Sequence, residues 1–196
     1  SVLGQLFKDF ELLIVDDCST DGSWEYLQSL DDARITLFRN ESNKGLFFSL
    51  NFLIKKSKGP IIKLWAQDDI MYPGCLEKFV CFHQAHPEIG LSYSGRDIID
   101  EDELVKFPGA IDNTPPIVSP ELHARIAFFT GSIAGNIANV CLNKKALDEV
   151  GSFNEAMKLS ADFDMWVRLA KDRDTGFISE RLIQLRDHRE QLSRKE

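Results

Sequence analysis

Two pairs of adjacent aspartates, Asp16-Asp17 and Asp68-Asp69, each stand just after a run of apolar residues. Neighbouring carboxylates repel unless a cation or a set of hydrogen-bond donors holds them. Hard oxygen ligands in such a place suit Mg²⁺ or Mn²⁺ bridging a phosphorylated ligand, because Mg²⁺ keeps most of its waters and takes few carboxylates from a protein. One pair alone serves as well to cap the next turn or helix. Two pairs in the same context tip the balance toward a site. Acid–base chemistry needs a further carboxylate free of metal, and Asp162 and Asp164 are the candidates. His188, in Arg186-Asp187-His188-Arg189, follows the strand-like Leu182-Ile183-Gln184-Leu185 and is placed to reach a phosphate or metal. His83, His86 and His123 are scattered and read as surface residues. Trp65, Phe79 and Phe82 read as core rather than as a stacking platform, and Tyr72 as either.

The elements that must carry these residues follow from periodicity. Leu12-Leu13-Ile14-Val15 is a compact apolar run of the kind buried in parallel sheets. Helical spacing follows at Trp24, Leu27 and Leu30, then a strand at Ile35–Phe38, a turn at Asn43-Lys44-Gly45, and a helix over 46–56 with Leu46, Leu50, Leu53 and Ile54 on one face. Gly59-Pro60 breaks it before a third strand, 61–65, and Pro73-Gly74 opens a helix to about Ala85. Strand, turn and helix repeated at these lengths imply βαβ units and a mostly parallel sheet covered on both sides. In such a sheet ligands bind beyond the carboxyl ends of the strands, so both acid pairs are expected at one crevice. The second half is less regular. Strands are expected at 90–94 and 96–99, an irregular proline-rich loop over 107–120, a helix over 121–129, a short strand at 140–142 and a short helix at 144–150. An amphipathic helix over 161–171 turns Phe163, Trp166, Val167 and Ala170 inward, with Asp162 in the first turn where the helix dipole favours a carboxylate.

Composition excludes several classes. The chain has 196 residues, 43% hydrophobic and 28% charged, which is enough for an ordinary core. Its net charge of −8 and lack of a basic block argue against a nucleic-acid partner. Cys18, Cys75, Cys81 and Cys141 form no CxxC pair, and a reduced, cytoplasmic chain is the simpler expectation. No stretch reaches the roughly 20 apolar residues of a membrane span. Asp17 to Gly22 echoes half an EF-hand loop, but Gln28 stands where the bidentate Glu belongs and a strand precedes it. Asn43-Lys44-Gly45 lacks the other glycines of a P-loop or dinucleotide fingerprint.

The strings from Phe10 through Val15-Asp16-Asp17-Cys18-Ser19-Thr20-Asp21-Gly22 to Ser23, Asn43-Lys44-Gly45 with Asn51, and Trp65-Ala66-Gln67-Asp68-Asp69 to Pro73 resemble the inverting family 2 glycosyltransferases of GT-A fold. Val150-Gly151-Ser152-Phe153 and Ser160-Ala161-Asp162-Phe163-Asp164 to Leu169 fit as well. The resemblance spans nearly the whole chain. It implies an α/β fold with a Rossmann-like, mostly parallel sheet flanked by helices, in one domain whose residues 1–95 bind a nucleotide sugar and whose residues 96–196 face the acceptor. It implies that Asp17 hydrogen-bonds the base of a nucleoside diphosphate sugar, most often UDP, with Ser19, Lys44 and Gly45 around the nucleotide. Asp68 would contact ribose or sugar. Asp69 would bind Mg²⁺ or Mn²⁺, with His188 reaching the metal or diphosphate, and Asp162 would be the general base. The acceptor would be a glycan or lipid-linked glycan of surface polysaccharide synthesis, met by a cytoplasmic protein or one held peripherally at the inner face of the membrane.

The family pattern is not met everywhere. Ala66 replaces the first carboxylate of the fuller DxDD form, Ala161 replaces the Glu before Asp162, and Leu50 stands where many relatives carry Arg. The family begins with a strand and a Pro-Thr-Tyr-Asn-like turn, whereas this chain opens on Ser1-Val2-Leu3-Gly4, so an N-terminal truncation that removes the first strand is expected. An inactive nucleotide-sugar-binding or scaffold domain is the alternative. A sugar-nucleotide pyrophosphorylase would want a Gly-rich loop with Arg and Lys near the N-terminus, and the sequence has none.

Overall fold

In a computed structural model, residues 1–107 and 113–188 are described. Strand β1 (Leu12–Asp16) pairs in parallel with β2 (Ile35–Arg39) across α1 (Ser23–Gln28). Register places Asp16 opposite Arg39, and the two form an ion pair of 3.1 Å. Helix α2 (Leu46–Lys56) occupies the expected residues, opens at Gly45 with φ of 88°, and carries Lys55 and Lys56 in its last turn, where the dipole favours cations.

The remaining strands form a second sheet. Strands β3 (Ile61–Lys63), β4 (Ile70–Met71), β5 (Leu91–Ile99), β8 (Val140–Asn143) and β9 (Thr175–Arg186) run in the order β3-β8-β5-β9-β4. Two short strands, β6 (Val105–Phe107) and β7 (Ile117–Val118), flank β5 and β9. The layered α/β architecture is the expected one, but parallel pairing is confined to β1/β2 and β5/β9; the other pairs are antiparallel. The βαβ reading holds for β1/β2 across α1, whereas β5/β6 fold back over a short turn and the other antiparallel pairs join strands far apart in sequence. β1 and β3 belong to separate sheets that no described strand joins, and a cavity of about 620 Å³ is lined by Leu12, Leu13, Ile61 and Ile62 among others.

Alternation on the strands builds a core on each face. Val140 and Leu142 enter one cluster with Tyr93, Phe153 and Trp166, while Cys141 enters the other with Phe79, Ile178 and Ile183. Helices α2, α5 (Lys144–Val150) and α6 (Ala161–Ala170) cover the first face, and α3 (Cys75–Ala85) the second. On α6 the inward stripe is Ala161, Met165, Trp166, Leu169 and Ala170; Val167 is exposed, one position round from the expected face. His83 and His123 are buried rather than on the surface, because they lie on the inner faces of α3 and α4 (Pro120–Thr130) and bond Ser92 and Thr175. Burial pushes His83 down to about 4. Trp65, Phe79 and Phe82 are core residues, as expected.

The two strands expected at 90–94 and 96–99 are one, with its register against β9 shifting at Gly95. A Cβ there would meet the carbonyl oxygens of Ser179 at 2.9 Å and Glu180 at 3.0 Å. Gly95→Ala is therefore expected to destabilise the fold by about 1–3 kcal/mol in urea unfolding, while Gly59→Ala, whose nearest neighbour is 3.5 Å away, changes little. Equal midpoints for the two variants would show that the bulge does not need glycine.

Candidate donor and acid–base site

The first acid pair divides its labour. Asp16 is buried, paired with Arg39, and accepts the Ser19 N–H. Asp17 turns the other way, toward the segment 40–45. Its Oδ1 accepts the Asn40 amide at 2.7 Å and the Lys44 N–H at 2.8 Å, and its Oδ2 accepts the Gly45 N–H at 2.8 Å. Burial pulls the Asp17 carboxyl upward, but the donors from Lys44, Asn40 and Gly45 outweigh it and hold the group below its ordinary range. Asp17 is thus a fixed, charged acceptor at the mouth of α2. Lys44 and Gly45 contribute main-chain N–H groups to it, and Ser19 contributes its N–H to Asp16 and its carbonyl to Arg39.

The second pair is built differently. Asp69 is buried, and its Oδ1 accepts the Arg186 N–H at 2.9 Å where β4 meets the end of β9. Asp68 is partly buried and its Oδ2 lies 3.0 Å from His188 Nε2. The structure therefore brings His188 to the second acid pair, on Asp68 rather than on Asp69. Burial first, then the charge of Asp68, pushes Asp69 up to about 6 against the pull of the Arg186 N–H and the positive charges of Lys63 and Arg186. A carboxylate in that state gains from a countercharge. Among the described residues no three acid, His or Cys side chains are grouped to hold a metal ion. Asp68 and Asp69 are by chemistry hard oxygen donors, of the kind a cation takes when it draws its other ligands from water and phosphate.

Asp162 is the second residue of α6, partly buried, with Oδ1 taking the Phe163 N–H at 2.8 Å. It forms no ion pair among the described residues, whereas Asp164 is bound to Arg168 at 2.9 Å. No hydrogen bond joins Asp162 to either acid pair. What links them is the core: Phe47 of α2 stacks on Phe153, which meets Trp166 of α6 edge-on. Asn51 of α2 clamps the same Phe153 through its N–H and its carbonyl, each at 2.9 Å. Ala161 and Leu50, the two departures from the family pattern, are both buried in that cluster. Tyr72 donates to Asp97 at 2.8 Å and so links β4 to β5.

Arg186 was not legible as a site residue. Its guanidinium donates to the carbonyls of Asp68, Asp100 and Glu101 and pairs with Glu103 at 3.0 Å, so it fastens the second acid pair to the turn after β5. Only its position at the end of a terminal strand, next to His188, pointed there. Residues 189–193 of that string lie outside the described residues.

A model of the glycosyl transferase family 2 matches residues 1–147. An uncharacterized glycosyltransferase of Rickettsia felis is 29% identical over 100% of this chain and 32% of its own length. The putative colanic acid biosynthesis glycosyl transferase WcaA of Escherichia coli is 30% identical over 86% of this chain and 58% of its own. Among solved structures, S. aureus TarS 1-349 in complex with UDP-GlcNAc superposes with a TM-score of 0.80 at 19% identity, over 100% of this chain and 55% of that one. The chain thus spans about a third of the Rickettsia relative and little more than half of TarS 1-349.

The electrostatics of Asp69 give a test. Its folded value of about 6 exceeds its ordinary 3.8, so charging it opposes folding, and stability from this group falls as pH rises from 3.8 through 6. Asp69→Asn keeps an oxygen for the Arg186 N–H. In chelator the variant is expected to be more stable than the parent at pH 7.5, by at most about 3 kcal/mol, with the difference gone near pH 4. A variant less stable at pH 7.5 would overturn this account of the Asp69 environment.

Proposed function

The chain belongs to glycosyl transferase family 2, and from that premise we propose that it moves a sugar from a UDP-sugar to a hydroxyl of a glycan or lipid-linked acceptor, with inversion at the anomeric carbon. The observation that carries this reading is the contrast between the acid pairs: Asp17 held charged by three N–H donors, Asp69 buried and short of a countercharge. Asp17, with one lone pair of Oδ2 left beyond the Gly45 N–H, accepts from the nucleotide base. Asp68 meets the ribose or sugar. Asp69, with His188, holds Mg²⁺ or Mn²⁺, which when bound offsets charge on the departing diphosphate.

Asp162 takes the proton from the acceptor hydroxyl as that oxygen attacks the anomeric carbon. Its carboxylate suits the task because one oxygen is oriented by the Phe163 N–H and no cation neutralises it among the described residues. TarS 1-349, crystallised with UDP-GlcNAc, supports a nucleotide-sugar donor through its likeness of fold. The name of WcaA supports surface polysaccharide as the product class, formed at the cytoplasmic face of the membrane. No helix among the described residues is long and apolar enough to cross a membrane. In this division of labour residues 1–95 serve the donor and 96–196 the acceptor.

Calorimetry with UDP and Mn²⁺, and UDP release from a panel of UDP-sugars, test it. Asp162→Asn is expected to bind UDP within about two-fold of the parent and to lose turnover by at least about 100-fold. Turnover retained by that variant removes Asp162 as base, and failure of the parent to bind UDP with Mn²⁺ removes the donor assignment.

A further inference from the structure

Arginines in this chain are consistently partnered, with one exception. Among the described residues Arg34, Arg39, Arg125, Arg168, Arg173, Arg181 and Arg186 each have a carboxylate within 4.0 Å. Arg96 has no ion pair and no side-chain hydrogen bond to any described residue, although it is partly buried in the middle of β5. None of its guanidinium nitrogens is among the fully buried polar atoms that lack a partner, so the charge keeps contact with water and is open to a ligand. The backbone makes room for it. At Gly135, with φ of +73°, a Cβ would lie 3.1 Å from Arg96 Nη1, so glycine lets the loop 131–136 rest directly on the guanidinium.

Arg96 opens into a cavity of about 280 Å³ that it lines with Ile98, Asn136, Leu185, Arg186 and Asp187. Asp187, the one acid in the lining, is engaged by Lys106 at 3.4 Å. The wall formed by residues 185–187 is the strand end that carries His188 to Asp68 and the Arg186 N–H to Asp69. The lid has the same allegiance from the other side. Ala134 of the loop is buried in the large core cluster that also takes Ala161 and Met165 of α6, and Ile133 packs against that cluster. The cavity is therefore walled by the strand end that serves the second acid pair and by a loop anchored in the same core as α6.

We propose that Arg96 is a binding residue for an oxyanion of the substrate, a phosphate or carboxylate group taken up in this cavity through the planar fork of the guanidinium. The proposal rests on the transferase reading only for the origin of the anion: it is either the diphosphate of the donor or an acidic group of the acceptor. The position under the acceptor-side loop favours the acceptor.

Inorganic phosphate titrated into the whole chain, followed by the ¹⁵N–¹H signal of the arginine Nε groups, is expected to shift Arg96 saturably. Arg96→Gln removes that Nε signal and so assigns the shifting resonance to Arg96. UDP and uridine calorimetry then assigns the source. A loss of about ten-fold or more in UDP affinity in Arg96→Gln with uridine unchanged assigns the donor diphosphate. Unchanged UDP affinity, with phosphate still shifting Arg96 in the UDP complex, assigns the acceptor. No saturable phosphate shift at Arg96 in the parent, together with unchanged UDP affinity in the variant, overturns the proposal. If the parent bound no UDP, the donor reading would fail while the phosphate titration still judged Arg96.

Discussion

The fastening around Arg186 is the constraint on which the site depends. A single residue at the end of β9 gives its N–H to Asp69 and its guanidinium to the Asp68 carbonyl, to the turn after β5 and to Glu103. Three chain segments far apart in sequence meet there, and each needs the others to satisfy its polar groups. Without that meeting, the buried Asp69 would have no donor to offset its desolvation, and the cost of an unpaired buried carboxylate would fall on the fold. The Asp69 carboxyl is nonetheless only partly compensated, since the Arg186 N–H and the charges of Lys63 and Arg186 do not outweigh burial and the charge of Asp68.

The first acid pair shows the opposite balance. Asp17 receives three donors from the segment 40–45 and is fixed in its charged form before any ligand arrives. Two pairs with the same sequence appearance thus have different electrostatics, set by the number of N–H groups that the local backbone aims at each. Orientation follows from the same contacts: Asp17 cannot rotate without releasing the turn that starts α2, and that helix is tied to α6 by way of Phe153.

Much of this was legible in the residues. The strand–helix alternation as far as β3, the helix 46–56 to the residue, and the first acid pair at the end of β1 came from apolar runs and their spacing, whereas Asp68-Asp69 lies beyond β3 and directly before the short strand β4, which the spacing did not mark. What escaped was non-local. The pairing of β9 with β5 joins residues about 85 positions apart, and the first half of β9, Thr175 to Arg181, has exposed residues mixed with buried ones, so its period is blurred. His83 and His123 looked like surface residues because a neutral imidazole on an inward helical face leaves no mark in hydropathy. Arg186 and Arg96 were similarly hidden: one is defined by carbonyls that only the folded chain assembles, the other by the absence of a partner. Resemblance supplied the roles expected of Asp17, Asp69 and Asp162; spacing alone supplied only that acid pairs followed apolar runs.

Regular and irregular structure divide the work between them. The α2–Phe153–α6 column is densely packed, with Ala161 and Leu50 filling space where polar side chains would have to be buried. That packing fixes where Asp162 starts its helix. Other segments have a shape the core does not dictate: the turn 40–45, the residues after β5, and the loop 131–136 with its two glycines in the left-handed region. These can change residue by residue without disturbing the sheet. A fold of this kind can therefore keep an acid at a helix start while the loops beside it vary, and Arg96, unmatched by any described carboxylate, stands against one of those loops.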